Sequence, residues 1–153
     1  MIARLVAVDI VAFALLGMAW HRGWVEVLWR ADTTYLCAAI ALVFAFGWGL
    51  SWWKAHRVRG GYIYLKDFPH YVGTIRYIGG LLVMMGLIGT VVGFVIALSG
   101  VDPQKAGELS GISGMLAALI EGMGVALYTT LAGAVLSIWL SVKHRILAGG
   151  FHG

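Results

Sequence analysis

The chain has 153 residues, of which 61% are hydrophobic and 12% are charged. Soluble globular domains contain about 25% charged residues, so the composition excludes an ordinary soluble protein and indicates an integral membrane protein. The formal net charge is +4, and the single cysteine, Cys37, excludes a disulfide within the chain. Four apolar runs occupy most of the length, and we therefore predict a single membrane domain over residues 1–153.

The first two apolar runs, residues 5–24 and 35–53, are predicted to cross the membrane. Both have tryptophans near one end, where indole rings anchor a helix at the membrane interface. A cleaved signal peptide is the alternative for the first run, and Asp9 within that run argues against it. Asp9 lies about one helical turn beyond Arg4. We expect its carboxylate to snorkel or to form an ion pair, with a functional role only if it faces a water-filled path.

Residues 54–78 are too polar to cross the membrane. Basic residues follow the second run at once, which marks the cytoplasmic side. Asp67 and Pro69 are typical of a helix start, and apolar residues then fall on one helical face. We predict a short interfacial or cytoplasmic helix that runs into the third span. At the other end of the sequence, the residues from Lys143 onward are interpreted as a short basic tail.

The distribution of basic residues supports four spans with both termini in the cytoplasm. This plan places eight basic residues inside and three outside, which together are the 11 of the sequence, and an excess of Lys and Arg marks cytoplasmic segments. Inside are Arg4, Lys54, Arg57, Arg59, Lys66, Arg76, Lys143 and Arg145, and outside are Arg22, Arg30 and Lys105. The predicted fold is an all-α integral membrane protein with four transmembrane helices.

The third and fourth apolar runs, residues 79–98 and 114–142, carry small residues at steps of three and four. In a helix this spacing produces a flat stripe, against which another helix can approach closely. We assign a helix-packing role to Gly86, Gly89, Gly93, Gly122 and Gly133.

Threonines near the middle of these two runs, Thr90, Thr129 and Thr130, are the main candidate functional residues. A hydroxyl inside a membrane needs a partner, which can be a carbonyl, another helix, water or an ion. The structural alternative is a bond back to the carbonyl one turn earlier. Thr129 and Thr130 lie about 100° apart around a helix, so only one can face a pore squarely. Thr130 lies on the small-residue stripe and is the first choice.

Glu121 is the only acidic residue within the third and fourth spans. Acids at such depth are often functional, while the alternatives are snorkelling at the outer helix end or an ion pair with Lys105. The sequence favours neither the functional nor the structural interpretation of Glu121. The five histidines lack the spacing of metal ligands, and no catalytic motif is present. We therefore expect no metal, no cofactor and no enzymatic activity.

Two segments, GLIGTVVGF and GMGVALYTTLAGAVLS, resemble the paired pore helices of the MotA/TolQ/ExbB family, the membrane subunits of ion-driven stator units. The YTT doublet is most similar to the flagellar-type members. The resemblance implies that Thr90 and Thr130 line an ion path and that Thr129 supports it. It implies translocation of H⁺ or Na⁺ in the bacterial inner membrane.

The resemblance also implies the partners. Five copies of the chain would surround two copies of a single-span protein similar to MotB, ExbD or TolR, whose aspartate supplies the titratable group. Membrane lipid is the other expected partner of the chain, and no nucleic acid is expected to bind. The chain departs from the flagellar-type members because only residues 54–78 separate the second and third spans, where those members carry a large cytoplasmic domain. A minimal stator core is therefore favoured over direct contact with a flagellar rotor.

Two other hypotheses remain. A non-conducting oligomeric membrane scaffold or holin-like protein would use the same glycine stripes but would have no use for threonines in the middle of the membrane. A small membrane enzyme using Asp9 or Glu121 would need polar residues that converge from several helices, and the sequence shows few of them.

Overall fold

The structure, a computed structural model, describes residues 2–23, 25–26, 34–59, 68–101 and 109–149. Four long helices account for nearly all of these residues, and none of the described residues lies in a strand. The helices are α1 (Ile2–His21), α2 (Leu36–Arg59), α3 (Phe68–Ser99) and α4 (Leu109–Gly149). Each helix contains a segment that is long and apolar enough to cross a membrane, which confirms the predicted all-α fold with four spans.

Two helices extend beyond the predicted spans. The helix predicted before the third span runs into it, and α3 is continuous from Phe68 to Ser99. Pro69 is accommodated in the first turn, where a missing N–H breaks no helical bond, and Asp67 lies outside the described residues. Helix α4 continues through the residues predicted as a basic tail as far as Gly149, and Leu147 is packed in the core.

Helices α3 and α4 form an antiparallel hairpin, the most extensive helix pairing in the described structure. Gly93 of α3 lies against Ala126 of α4, and the earlier Gly86 lies against the later Thr130. Helix α2 packs on both members of the hairpin, and α1 packs mainly on α4.

Gly47 allows α2 to enter the groove between α3 and α4. A side chain at this position would begin 2.8 Å from Ile78 and 2.9 Å from Leu140. Ile78 and Leu140 belong to a buried apolar core that also includes Leu5 of α1 and Ile40 of α2. The core therefore joins all four helices.

The outer surface of the bundle is strongly apolar. Large side chains such as Leu87, Ile88, Leu127 and Leu131 are more than half exposed. Such surfaces are normal for helices that face lipid or other subunits. An apolar groove of about 530 Å³ also lies between α1 and α4, from Ala7 to Ala19 on one side and from Val135 to Val142 on the other.

Candidate functional site

The seam between α3 and α4 is built from glycine and alanine. A side chain added at Gly93 would begin 2.5 Å from the backbone nitrogen of Ala126 and 2.5 Å from the carbonyl oxygen of Gly122. A side chain added at Gly122 would collide with the backbone nitrogen of Ala97 and the carbonyl oxygen of Gly93. Backbone atoms cannot swing aside as a side-chain tip can, so only glycine fits at either position.

The other three glycines assigned to packing also lie in this seam. A side chain at Gly133 would begin 2.5 Å from the carbonyl oxygen of Leu82, and one at Gly86 would begin 3.1 Å from the α-carbon of Thr130. One at Gly89 would collide with the side chain of Thr129. The two helices therefore approach at backbone contact distance along the whole middle of the hairpin.

Thr129 is fully buried within the seam, with 0% of its surface exposed. Its hydroxyl donates to the carbonyl oxygens of Val125 at 2.8 Å and Ala126 at 3.2 Å, both in its own helix. Its side chain fills the space opposite Gly89. Thr129 therefore has the geometry of a backbone-bonded packing residue, and it supports the hairpin from inside.

Thr130 makes a hydrogen bond of a different kind. Its hydroxyl donates across the seam to the carbonyl oxygen of Gly86 in α3, at 3.0 Å. In an α-helix this carbonyl also accepts from the amide four residues later, which is the amide of Thr90. The two threonines are therefore grouped around one carbonyl. Thr90 is half-buried, and its own hydroxyl donates to Leu87 at 2.5 Å.

Thr130 lies on the side of the hairpin away from α1. Trp139 donates to Asp9 of α1, so the Trp139 face of α4 is the face that α1 covers. Nine helical steps of about 100° separate Thr130 from Trp139, which places them on opposite faces of α4. Thr130 is exposed in this structure. The threonine pair therefore lies near the middle of the spans, at a seam surface that no described helix covers.

Asp9 is buried and accepts three hydrogen bonds from two other helices. The Nζ of Lys143 lies 2.9 Å from Oδ2, the Nε1 of Trp52 lies 2.8 Å from Oδ2, and the Nε1 of Trp139 lies 2.9 Å from Oδ1. Asp9 is 5% exposed and Lys143 is 1% exposed. Asp9 is thus ion-paired rather than snorkelling, and its partner is Lys143, while Arg4 is exposed.

We call Asp9, Lys143, Trp52 and Trp139 the Asp9 cluster. Aromatic rings lie against its ammonium group. The ammonium of Lys143 lies 5.2 Å from the ring centre of Trp48 and 5.4 Å from that of Trp52, within the range of cation–π attraction. A buried ion pair is stable only when its remaining hydrogen-bonding capacity is met. The Asp9 cluster meets this condition with indole donors and ring faces, and it ties α1, α2 and α4 together.

Glu121 is not brought near Asp9 or the threonines. It is exposed and has no ion-pair partner among the described residues, and Lys105, its predicted alternative partner, lies outside them. Within the described ranges, no group of three or more His, Cys, Asp or Glu side chains could hold a metal ion.

Sequence reasoning missed the indole and ammonium partners of Asp9. Trp52 was interpreted as part of an interfacial belt and Lys143 as the start of a tail. Their separations from Asp9, 43 and 134 residues, leave no local signal. The one usable hint is Asp9 itself, because an acid inside a span requires a partner.

These features define a four-span helical membrane protein whose last two helices form a glycine-packed hairpin with threonines at mid-span. The model of the MotA/TolQ/ExbB proton channel family matches residues 65–152, more than half of the chain. The chain belongs to this family, which is a family of channels rather than enzymes. No curated protein and no solved structure is significantly similar to it. The match contains α3 and α4 in full, whereas α1 and α2 precede it.

Proposed function

We propose that the chain is the ion-conducting subunit of a stator unit, which uses proton or sodium motive force to move a partner complex. The observation that carries this proposal is the position of Thr90 and Thr130. The Thr130 hydroxyl donates to the carbonyl of Gly86, which helix geometry also places against the backbone amide of Thr90. This contact lies near mid-span, and Thr130 is on the uncovered side of a tightly packed hairpin. In a channel family, this is the surface that a partner helix and the ion would share.

The positions of the two acidic residues Asp9 and Glu121 support the need for a partner protein. Ion transfer requires a group that binds the ion and alternates between the two sides of the membrane. Asp9 is closed off by Lys143 and two indoles, and Glu121 is nine residues before Thr130. Neither stands beside the threonine pair. A single-span protein with an aspartate in its helix would supply the missing carboxylate, and five copies of the chain around two such helices would enclose it.

The hydroxyl chemistry fits either coupling ion. The proton of the Thr130 hydroxyl is used by the carbonyl of Gly86, so its oxygen presents lone pairs outward. Those lone pairs can accept from water in a proton path or replace water around Na⁺. Replacing Na⁺ with K⁺ at constant pH separates the two cases, since only a sodium-driven unit stops.

The second candidate is a non-conducting oligomeric membrane scaffold or holin-like protein. The observation that favours it is that all three threonine hydroxyls donate to backbone carbonyls. Under this alternative the threonines are packing residues, and the assembly has no need of a partner carboxylate.

The test is ion flux in vesicles that contain the chain together with the product of its neighbouring gene. Thr130→Val keeps the shape of the side chain and removes the hydroxyl. It should abolish flux without changing the amount or size of the assembly. Thr130→Ser, which keeps the hydroxyl, is the matched control and should conduct. Normal flux through Thr130→Val would contradict the pore-lining role.

Native mass spectrometry tests the assembly independently of flux. A five-copy ring that takes up two copies of a single-span protein is the expected result. A monomer, a dimer or an open series of sizes would favour the scaffold.

A further inference from the structure

Most described serine and threonine hydroxyls inside the spans are satisfied by a nearby carbonyl. Ser51 donates to Trp48 at 2.6 Å, and Ser99 donates to Ile96 at 2.8 Å. Thr129 does the same within its own helix. Such back-bonding is the usual way for a hydroxyl to be accommodated in a membrane helix.

Ser137 and Ser141 of α4 do not follow this pattern. Neither hydroxyl has a hydrogen-bond partner in the part of the chain that the structure describes. Ser137 is only 9% exposed, whereas Ser141 is exposed. The Oγ of Ser137 is not among the enclosed atoms that lack a partner, so it can still be reached by a small ligand. Inside a membrane, polar groups are tolerated only where protein or a water-filled cavity satisfies them.

Both hydroxyls converge on the empty side of Gly79 in α3. A β-carbon at Gly79 would lie 3.7 Å from the Oγ of Ser137 and 3.8 Å from the Oγ of Ser141. The carbonyl oxygen of Ser137 would lie 3.9 Å from the same point. Three oxygens of α4 therefore face the position that a side chain at Gly79 would occupy. Water, hydronium and a partly dehydrated Na⁺ all bind such oxygen groups.

Ser137 and Ser141 lie on the same face of α4 as Thr130. Ser137 and Ser141 follow Thr130 by 7 and 11 residues, which are close to two and three full turns, so the three hydroxyls share one face of α4. The stripe extends about 16 Å along the helix at 1.5 Å per residue. It leads from mid-span toward the end of the bundle where α1 begins and α4 finishes, which we call the terminal end.

We propose that Ser137 and Ser141, facing Gly79, form a hydrated site that carries the transported ion between Thr130 and the terminal end. This inference rests on the proposed function, since it extends the same ion path. The hydroxyls hold water or the ion, and Gly79 provides the room. The competing explanation is that the serines are merely small residues that allow close packing.

Thiol labelling tests hydration without requiring ion flux. Ser137→Cys and Ser141→Cys are made in a Cys37→Ala background, which removes the only native cysteine, and membranes are treated with 2-aminoethyl methanethiosulfonate. Only a thiolate reacts, so labelling requires contact with water. Both cysteines should label at least tenfold faster than Ile138→Cys, which is on the exposed apolar face of α4. Labelling as slow as that control would overturn the proposal.

Flux measurements then test whether the hydrated site lies on the path. The double variant Ser137→Ala/Ser141→Ala should reduce flux about tenfold, since it removes hydrogen bonds to a charged ion in transit. Ser51→Ala, whose hydroxyl is bonded to its own helix, should leave flux unchanged. Labelled cysteines with normal flux in the double alanine variant would overturn the path assignment.

Gly79→Ala separates hydration from packing. A methyl group fits at Gly79 at ordinary contact distance, and alanine favours a helix more than glycine does. Packing alone therefore predicts an equally or more stable protein with normal flux. The hydrated site predicts a stable protein with severalfold lower flux, because the methyl group covers both hydroxyls. If the unsubstituted chain and its partner carry no ion flux, the proposed function fails, and labelling still decides whether the serine site is hydrated.

Discussion

The glycine seam and the Asp9 cluster connect the helices of the bundle in two different ways. The seam joins α3 to α4 through backbone contact at positions such as Gly93 and Gly122, spread along the hairpin. The Asp9 cluster joins α1, α2 and α4 at one point, through an ion pair enclosed by indoles. Helices in lipid gain little from apolar contact alone, and close packing and polar bonds remain as the specific forces. Each region relies on one of them.

The two regions also differ in where they lie relative to the residues that match the channel family. The seam lies wholly inside the residues that match the channel family, and it carries the threonine pair. Helix α1 lies outside that match and is held by Leu5 in the apolar core, by the Asp9 cluster and by ring contacts of Phe13. We expect bulky substitutions at the seam glycines to remove the fold itself, whereas substitutions in the Asp9 cluster should weaken the attachment of α1 and leave the hairpin paired.

Gly93→Leu should have the largest effect. The first side-chain atom would overlap the backbone of α4 at 2.5 Å, so the cost should exceed the roughly 3 kcal/mol of ordinary overpacking. We expect no folded oligomer by size-exclusion chromatography in detergent. Gly49→Leu is the matched control, because nothing lies within 4 Å of its β-carbon position. A normally sized oligomer from Gly93→Leu would contradict the backbone-contact seam.

Lys143→Met should be next in size. It leaves Asp9 as a buried charge without its ion-pair partner, and breaking such a pair costs about 3–5 kcal/mol. The unfolding midpoint in detergent should fall sharply. Adding Asp9→Leu should restore most of the loss, because the double variant buries no unpaired charge. Arg4→Gln, which removes an exposed charge on the same helix, should have little effect. A double variant as unstable as the single one would show that the pair is not the source of the stability.

Trp52→Phe tests a single bond of the Asp9 cluster. It keeps an aromatic ring beside Lys143 and removes one of the three donors to Asp9. Hydrogen bonds to charged groups contribute about 1.5–3 kcal/mol, so the variant should be clearly less destabilised than Lys143→Met. Trp53→Phe is the control, since Trp53 is 51% exposed. Equal stabilities of the two variants would mean that the indole donor adds nothing.

The two regions also differ in how much of them the sequence could predict. The seam is a local pattern, because small residues three and four positions apart (glycine, alanine and threonine) occupy one helix face whatever the neighbour is, and this pattern suggested all five assigned positions. The Asp9 cluster depends on residues 43 to 134 positions apart, and the adjacent Arg4 offered a plausible but incorrect partner. The burial of Lys143 was equally hard to predict, because its partner Asp9 lies 134 residues away and a basic residue at the end of an apolar run resembles the start of a tail.

The smallest expected effect on stability is that of Thr129→Val, and it sharpens the distinction between the two neighbouring threonines. Valine matches threonine in shape, so the contact with Gly89 is kept and only bonds within α4 are lost. Hydrogen bonds between membrane helices average about 0.6 kcal/mol, and we expect a loss of that order or less in detergent unfolding. Ion flux should persist, in contrast to Thr130→Val. A stable Thr129→Val protein without flux would move the ion path from the seam surface into the seam itself, and Thr129 would replace Thr130 as the residue that the ion meets.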